Sequence, residues 1–149
     1  MNLKVSLHQQ CVQLLENRRK IIQNQMADIQ NSLTSETKSS AGDKHETGRA
    51  MLQIELEKTG KQLAEIDKLR TTLSKINTEE RLGKVGLGSL VFTSKAHYFI
   101  AVSLGALQAD GKTVYAISIG TPIGQLLIGK CVGDNVTFNG NSFVIEKVI

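Results

Sequence analysis

Two carboxylates three residues apart, Asp43 and Glu46, are the side chains of this sequence best placed to do chemistry. They lie in the stretch 39–49, Ser-Ser-Ala-Gly-Asp-Lys-His-Glu-Thr-Gly-Arg, whose small residues and glycines permit a tight reversal of the chain. Two neighbouring carboxylates create the negative potential that recruits a cation, and Lys44 between them reduces it. The structural alternative is a capping box, in which Asp43 caps a helix and Glu46 is its third residue.

Two long segments flank this stretch, and both have apolar residues at helical spacing. Residues 3–33 contain no Gly or Pro, and residues 49–76 contain only Gly60, which costs about 1 kcal/mol relative to Ala. Both segments show a heptad seam. In the first segment the seam is Val12, Leu15, Arg19, Ile22, Met26, Ile29 and Leu33; in the second it is Leu52, Leu56, Thr59, Leu63, Ile66, Arg70, Leu73 and Asn77.

Because neither apolar stripe is stable in water alone, two stripes of matching length joined by a turn predict an antiparallel hairpin. Its arms would be about 40 Å long at 1.5 Å per residue, with residues 39–49 as the exposed tip. The sequence predicts three parts: a coiled-coil hairpin at 1–78, a glycine-containing linker at 79–87, and a C-terminal domain at 88–149.

The C-terminal part has the short runs typical of strands. Strands are predicted at 89–93, 97–103 and 113–118, with a short helix at 123–128 that Thr121 caps and Pro122 begins. A closing hairpin, 136–138 with 143–148, turns at Asn139-Gly140-Asn141. Five or six short antiparallel strands with one helix make a small α+β domain.

Composition excludes several functional classes. The net charge is +4, without a basic tract, and a sequence with no Trp, two Tyr and four Phe is poorly supplied for base stacking. The three histidines do not have the spacing of metal ligands. Cys11 and Cys131 are expected to be buried free thiols. The sequence shows no nucleophile–base pair of the kind that an independent enzyme would need. Since no signal peptide or membrane-spanning run is visible, a cytoplasmic location with no membrane partner is expected.

The C-terminal sequence resembles a known family. The segment 117–130, Ile-Ser-Ile-Gly-Thr-Pro-Ile-Gly-Gln-Leu-Leu-Ile-Gly-Lys, is continued by Val-Gly-Asp-Asn-Val at 132–136 and by Phe-Val-Ile-Glu-Lys-Val at 143–148. This sequence is similar to the C-terminal domain of Gre-type (GreA/GreB family) bacterial transcription elongation and transcript-cleavage factors. Their pattern is I-S-x-x-S/T-P-[IL]-G-x-x-L-[LI]-G-K followed by G-D-x-[VI]. The family's hairpin tip, G-D-L-S-E-N, corresponds to Gly42-Asp43-Lys44-His45-Glu46-Thr47 and keeps the glycine and both carboxylates.

The resemblance implies an α+β fold in two parts, an N-terminal antiparallel coiled-coil hairpin followed by a small FKBP-like antiparallel β-sheet domain with one short helix. It implies a monomer that binds bacterial RNA polymerase and inserts its hairpin into the secondary channel. There Asp43 and Glu46 would help hold a Mg²⁺ shared with the polymerase, so that backtracked RNA is cleaved; no metal would be bound alone. The chain would be a cofactor protein, not an enzyme.

Further contacts follow from the same resemblance. The basic cluster Arg18, Arg19 and Lys20 is a candidate contact to nascent RNA, with a solvated helix face as the structural alternative. Thr121, Pro122, Gln125 and Lys130 are candidates for docking on the polymerase.

Lys44 and His45 depart from the family's tip, and two other interpretations remain. The chain could regulate or inhibit the polymerase through the secondary channel without stimulating cleavage. Alternatively, it could be a structural module whose coiled coil pairs with another protein, which a heptad seam left open in the monomer would indicate.

Overall fold

The structure, a computed structural model, describes residues 2–38 and 42–149, without the side chains of residues 36–38 and 42–45. The chain divides into two compact units. The helical unit is Leu14–Arg70, and the sheet unit combines Met1–Gln13 with Thr71–Ile149. Each unit is described by itself.

Two long antiparallel helices make up the helical unit. Helix α1 is Leu3–Lys38 and helix α2 is Gly42–Ser74, so the first turns of α1 and the end of α2 belong to the sheet unit. Ion pairs join Arg19 to Asp67 and Glu16 to Arg70. Residue numbers therefore increase along α1 in the direction in which they decrease along α2, so the two helices are antiparallel. The predicted antiparallel pair of helices is confirmed.

The predicted seam holds through most of the helical unit. Leu15, Ile29 and Ile66 are buried, and buried Thr59 donates its hydroxyl hydrogen bond to the Glu55 carbonyl, so its polar group is satisfied within the helix. The other apolar seam residues of this unit are partly buried: Ile22, Met26, Leu33, Leu52, Leu56 and Leu63.

The seam prediction is wrong at Val12, which is 38% exposed. In its place Lys4, Leu7 and Cys11 are buried in the sheet unit. These positions are three and four residues apart, so the first turns of α1 present a different stripe to the core of that unit. Burial raises the pKa of the Cys11 thiol to about 11, in keeping with the predicted inert thiol. Cys131, in contrast, is exposed, and its predicted burial is wrong.

The sheet unit contains one six-stranded sheet and the short helix α3. The order of the strands across the sheet is β3-β4-β2-β1-β6-β5, and every neighbouring pair is antiparallel except β2 with β4, which is parallel. The elements are β1 Leu90–Thr93, β2 His97–Ile100, β3 Gly105–Ala109, β4 Lys112–Ile117, α3 Pro122–Leu127, β5 Asn135–Phe138 and β6 Asn141–Val148. The predicted α+β architecture, two long helices followed by a small, mostly antiparallel sheet with one short helix, is confirmed.

Two turns close the outer hairpins of the sheet. Asp110-Gly111 joins β3 to β4 and Asn139-Gly140 joins β5 to β6, and all four residues have positive φ. Two-residue turns with this backbone match the twist of paired strands, which is why Asn-Gly and Asp-Gly favour them. The predicted closing hairpin is confirmed, and β3, which the sequence analysis did not identify, pairs with β4 across the other turn.

Both faces of the central strands are buried. On one face Val91, Ile100 and Ile145 pack with Ile123 and Leu127 of α3. On the other face, Leu90 lies opposite Phe99, and both are fully buried together with Val114 and Ala116. Alternate residues of one strand face opposite sides of a sheet, so the two cores are separated by the strands themselves.

Candidate functional site

The predicted tip lies where α1 ends and α2 begins. Residues 39–41 and the side chains of Asp43, Lys44 and His45 lie outside the described part of the chain. The backbone of Gly42 through Glu46 belongs to the start of α2, and Glu46 is exposed. The backbone of Asp43 lies in the first turn of α2. The capping-box alternative depends on the Asp43 side chain, which lies outside the described part of the chain. A negative charge in the first turn is favoured by the helix dipole.

An ion-pair network crosses the helical unit at the basic cluster. Nε of Arg19 lies 2.9 Å from a carboxylate oxygen of Asp67, and Nη1 of Arg70 lies 3.3 Å from the same oxygen. Nε of Arg70 also lies 2.7 Å from Glu16. Of the three residues predicted to contact RNA, Arg19 is therefore engaged in the helix pair, whereas Arg18 and Lys20 are exposed.

This network gives the helical unit a defined pH dependence. The hydrogen bond from Arg19, supported by Arg70, holds the pKa of Asp67 below its ordinary value of 3.8. A carboxylate with a lowered pKa contributes stability that is present above its unfolded-state pKa and is lost as the pH falls through its folded-state pKa. The network therefore stabilises the helices at neutral pH and stops doing so in acid.

We expect Asp67→Asn to lower the urea midpoint of unfolding at neutral pH, and the difference from wild type to shrink below about pH 4. The helical circular dichroism signal, followed in urea between pH 7 and pH 3, measures this. Asp28→Asn, on an exposed carboxylate of α1, is the matched control and should leave the midpoint unchanged. A constant difference between Asp67→Asn and wild type across this pH range would contradict the network's role.

The predicted docking residues surround the turn that begins α3. The Thr121 hydroxyl accepts a hydrogen bond from Gly124 N at 3.1 Å and donates one to Ser118 O at 2.8 Å, which confirms the predicted N-cap with Pro122 at the first helical position. Gln125 Nε2 donates to Ile119 O at 2.7 Å. Thr121 and Gln125 therefore hold the turn together.

Exposed groups surround this turn. Pro122 and Lys130 are exposed, and Ile119 and Leu126 are 36% and 39% exposed. A shallow cavity of about 300 Å³ opens beside the turn. It is lined by Thr72, Lys75, Leu87, Ala101, Ser118, Ile119 and Gly120. The sequence analysis missed Lys75 because only tertiary packing brings it beside residues 118–120.

Among the described residues, no group of three or more His, Cys, Asp or Glu side chains is placed to hold a metal ion. In the same part of the chain, no helix is long and apolar enough to cross a membrane.

Comparison with known proteins gives a likeness to solved structures, but no protein-family model and no curated protein matches the chain. Among solved structures, the chain is similar to the structure of the transcription factor Gfh1, with 20% sequence identity over 95% of this chain and 92% of that chain and a TM-score of 0.35.

Proposed function

We propose that this chain regulates bacterial RNA polymerase by inserting its paired helices into the secondary channel and stimulating cleavage of backtracked RNA. The observation that carries the proposal is the position of Asp43 and Glu46 at the start of α2, just after the end of α1, with which α2 forms an antiparallel pair. The Gre-like sequence of residues 88–149 supports the proposal.

The chemistry would need a metal that this chain does not hold alone. Mg²⁺ prefers oxygen ligands and usually takes one or two carboxylates from a protein while keeping several waters. Positions three apart in a helix lie on the same face, so Asp43 and Glu46 fit a supplementary role at such an ion. With the polymerase supplying the remaining ligands, the bound ion would stabilise the attacking and leaving oxygens of the hydrolysis.

Each tip residue has a distinct task in this proposal. Asp43 contributes a metal ligand, and Glu46, whose side chain is exposed, orients water beside the ion. Arg18 and Lys20 are available to nascent RNA in the complex because they are exposed on α1. The exposed residues around α3, Pro122, Lys130 and Leu126, dock on the polymerase, while Thr121 and Gln125 maintain the turn that presents them.

A second candidate function is regulation of the same channel without cleavage. Lys44 and His45 favour it, because a cation beside two carboxylates lowers the negative potential that attracts Mg²⁺. The two candidates share docking and insertion and differ only in what the tip does.

The deciding experiment uses a backtracked elongation complex with 5′-labelled RNA and follows the rate of RNA cleavage. We expect wild-type protein to accelerate cleavage, and Lys44→Leu with His45→Ser to accelerate it further because the tip becomes more negative. If wild-type protein binds the complex without accelerating cleavage, the second candidate holds. Absence of binding to the complex contradicts both.

A further inference from the structure

The cavity beside the turn that begins α3 combines an ammonium group with apolar side chains. Its volume is about 300 Å³, and Lys75, just beyond the end of α2, is the one charged residue among the described residues that line it. It is otherwise lined by apolar, hydroxyl-bearing and glycine residues: Leu87, Ala101, Ile119, Thr72, Ser118 and Gly120. We call it the Lys75 cavity.

The end of α2 anchors the backbone that carries Lys75. Its neighbours Leu73 and Ile76 are buried in the sheet unit, and Nε2 of His8 donates a hydrogen bond to Leu73 O at 2.8 Å. Backbone hydrogen bonds from Lys75 N to Thr72 O and from Ile76 N to Leu73 O, both 3.2 Å, close the helix end as a tight turn. A side chain on an anchored backbone loses less conformational entropy on binding than one on a loop that must first be ordered.

Side-chain hydrogen bonds hold the lining of the cavity at residues 118–120. The Thr121 hydroxyl donates to Ser118 O at 2.8 Å, and Gln125 Nε2 donates to Ile119 O at 2.7 Å. The Ile119 side chain itself is 36% exposed. The Lys75 cavity is therefore preformed, and it offers an accessible apolar side chain together with the lysine.

Lys75 has no acidic partner within the described residues. None of the salt bridges among them involves Lys75, and no carboxylate lines the cavity in this part of the chain. Lys130, exposed just after α3, is likewise in no salt bridge there. A cation without a partner beside apolar side chains favours a ligand that carries a negative charge and an apolar group together.

We propose that the Lys75 cavity receives a carboxylate side chain of the polymerase, with an apolar side chain next to that carboxylate packed on Ile119. This inference rests on the proposed function, because it names the chemistry of the polymerase surface on which the residues around α3 dock. Lys75 then determines which surface is accepted, while Pro122, Lys130 and Leu126 surround the contact.

The chemistry of the cavity favours this occupant over a nucleic acid or an apolar segment. A nucleic-acid strand binds to a series of cations along its backbone, whereas the described lining of the cavity holds one lysine. A purely apolar segment would cover the Lys75 ammonium group without pairing it, which is costly. A carboxylate beside an apolar side chain pairs the ammonium group and covers Ile119 at the same time.

The test measures binding of the full chain to immobilised bacterial RNA polymerase core enzyme by surface plasmon resonance. We expect Lys75→Gln to bind at least about thirtyfold more weakly, the loss typical when one member of a desolvated charge pair is removed. Lys75→Arg keeps the charge and should retain most of the affinity. The matched control is Lys95→Gln, which removes the same charge from an exposed position in the β1–β2 turn and should bind as wild type.

Ile119→Ser tests the apolar half of the contact. We expect it to weaken binding by about tenfold, because the loss of a packed side chain in an interface is felt even when the charge pair remains. The side chain is partly exposed, so the substitution leaves the core of the sheet unit in place. An affinity equal to that of wild type would contradict the apolar contact and leave a site for charge alone.

A carbodiimide cross-link identifies the group that Lys75 meets. The reagent joins a lysine amine directly to a carboxylate in contact with it, and mass spectrometry of the digested complex locates both residues. We expect a cross-link from Lys75 to an Asp or Glu of the polymerase with an apolar neighbour, and none from Lys95. A cross-link from Lys75 to a second copy of this chain instead would overturn the inference.

The outcomes separate this inference from the proposed function. If wild-type protein binds the polymerase and Lys75→Gln binds equally well, the inference is wrong and the proposed function is unaffected. It is also wrong if the chain alone binds single-stranded RNA with an affinity that Lys75→Gln reduces, since the lysine then serves phosphates. If wild-type protein does not bind the polymerase, both fail together.

Discussion

Asp43→Asn should remove the stimulation of transcript cleavage while leaving binding to the elongation complex unchanged. The substitution keeps the size of the side chain and removes its negative charge, so an ion shared with the polymerase would lose one carboxylate ligand. We expect the stimulated cleavage rate to fall by at least about tenfold, the order seen when support for a metal site is lost.

The measurement follows cleavage of labelled RNA at several Mg²⁺ concentrations. Because a weakened ligand set lowers the affinity for the ion, the defect of Asp43→Asn should diminish as Mg²⁺ is raised. Asp28→Asn removes the same charge from an exposed position of α1 and should cleave as wild type. If Asp43→Asn and Asp28→Asn behave alike, the tip does not act through its carboxylate, and the channel regulator without cleavage becomes the better account.

Gly124→Ala should destabilise the sheet unit strongly. A Cβ atom built on Gly124 would lie 2.3 Å from the carbonyl oxygen of Ser118 and 2.9 Å from Oγ1 of Thr121. The turn that begins α3 folds back over this residue, and the Thr121 hydrogen bonds hold it there. We expect a loss of about 3 kcal/mol in the free energy of unfolding, at the upper end of the usual cost of overpacking.

Denaturant unfolding, followed in the near ultraviolet through Tyr98 and Tyr115, measures this loss. Gly120→Ala provides the matched control four residues earlier, because the nearest atom to a Cβ at Gly120 is the Ser118 hydroxyl at 3.9 Å. Its stability should stay within about 0.5 kcal/mol of wild type. Equal effects of the two substitutions would show that the close approach at Gly124 is not what requires glycine there.

These two predictions use different kinds of knowledge. The role proposed for Asp43 follows from residue types and spacing at the tip, which are visible in the sequence. Gly124 belongs to the segment 117–130 singled out in the sequence, but the sequence alone does not say why a glycine is needed there. The structure supplies the reason, a backbone oxygen too close for any side chain.

The helices and turns were predictable because their signals are local. An apolar stripe at 3.6-residue spacing produces an amphipathic helix wherever a partner covers it, and α1 and α2 cover each other over Leu15, Ile29 and Ile66. Thr121-Pro122 and Asn139-Gly140 specify a helix start and a hairpin turn through their own dihedral preferences and hydrogen bonds. Each of these features depends on residues only a few positions apart.

The errors came from features that depend on distant parts of the chain. Strand β3 buries only Leu107 and Ala109, and its alternation is too short to identify without β4 beside it. The heptad spacing placed Val12 in the seam, but the sheet unit buries Lys4, Leu7 and Cys11 instead. The pairing of β3 and the burial at the start of α1 both depend on which surface of the folded chain each segment packs against.

The sequence by itself determined the two long helices, the small α+β domain after them and the pair of carboxylates between the helices. Tertiary structure decided which charges meet and which groups share a surface. It pairs Arg19 with Asp67 across the helices, and it places the Lys112 and Lys147 ammonium groups, from two separate strands, beside the Phe92 ring of a third. The physical reason is that helix and turn propensities act over a few residues, whereas ion pairs and binding surfaces require side chains from separate strands and helices to meet.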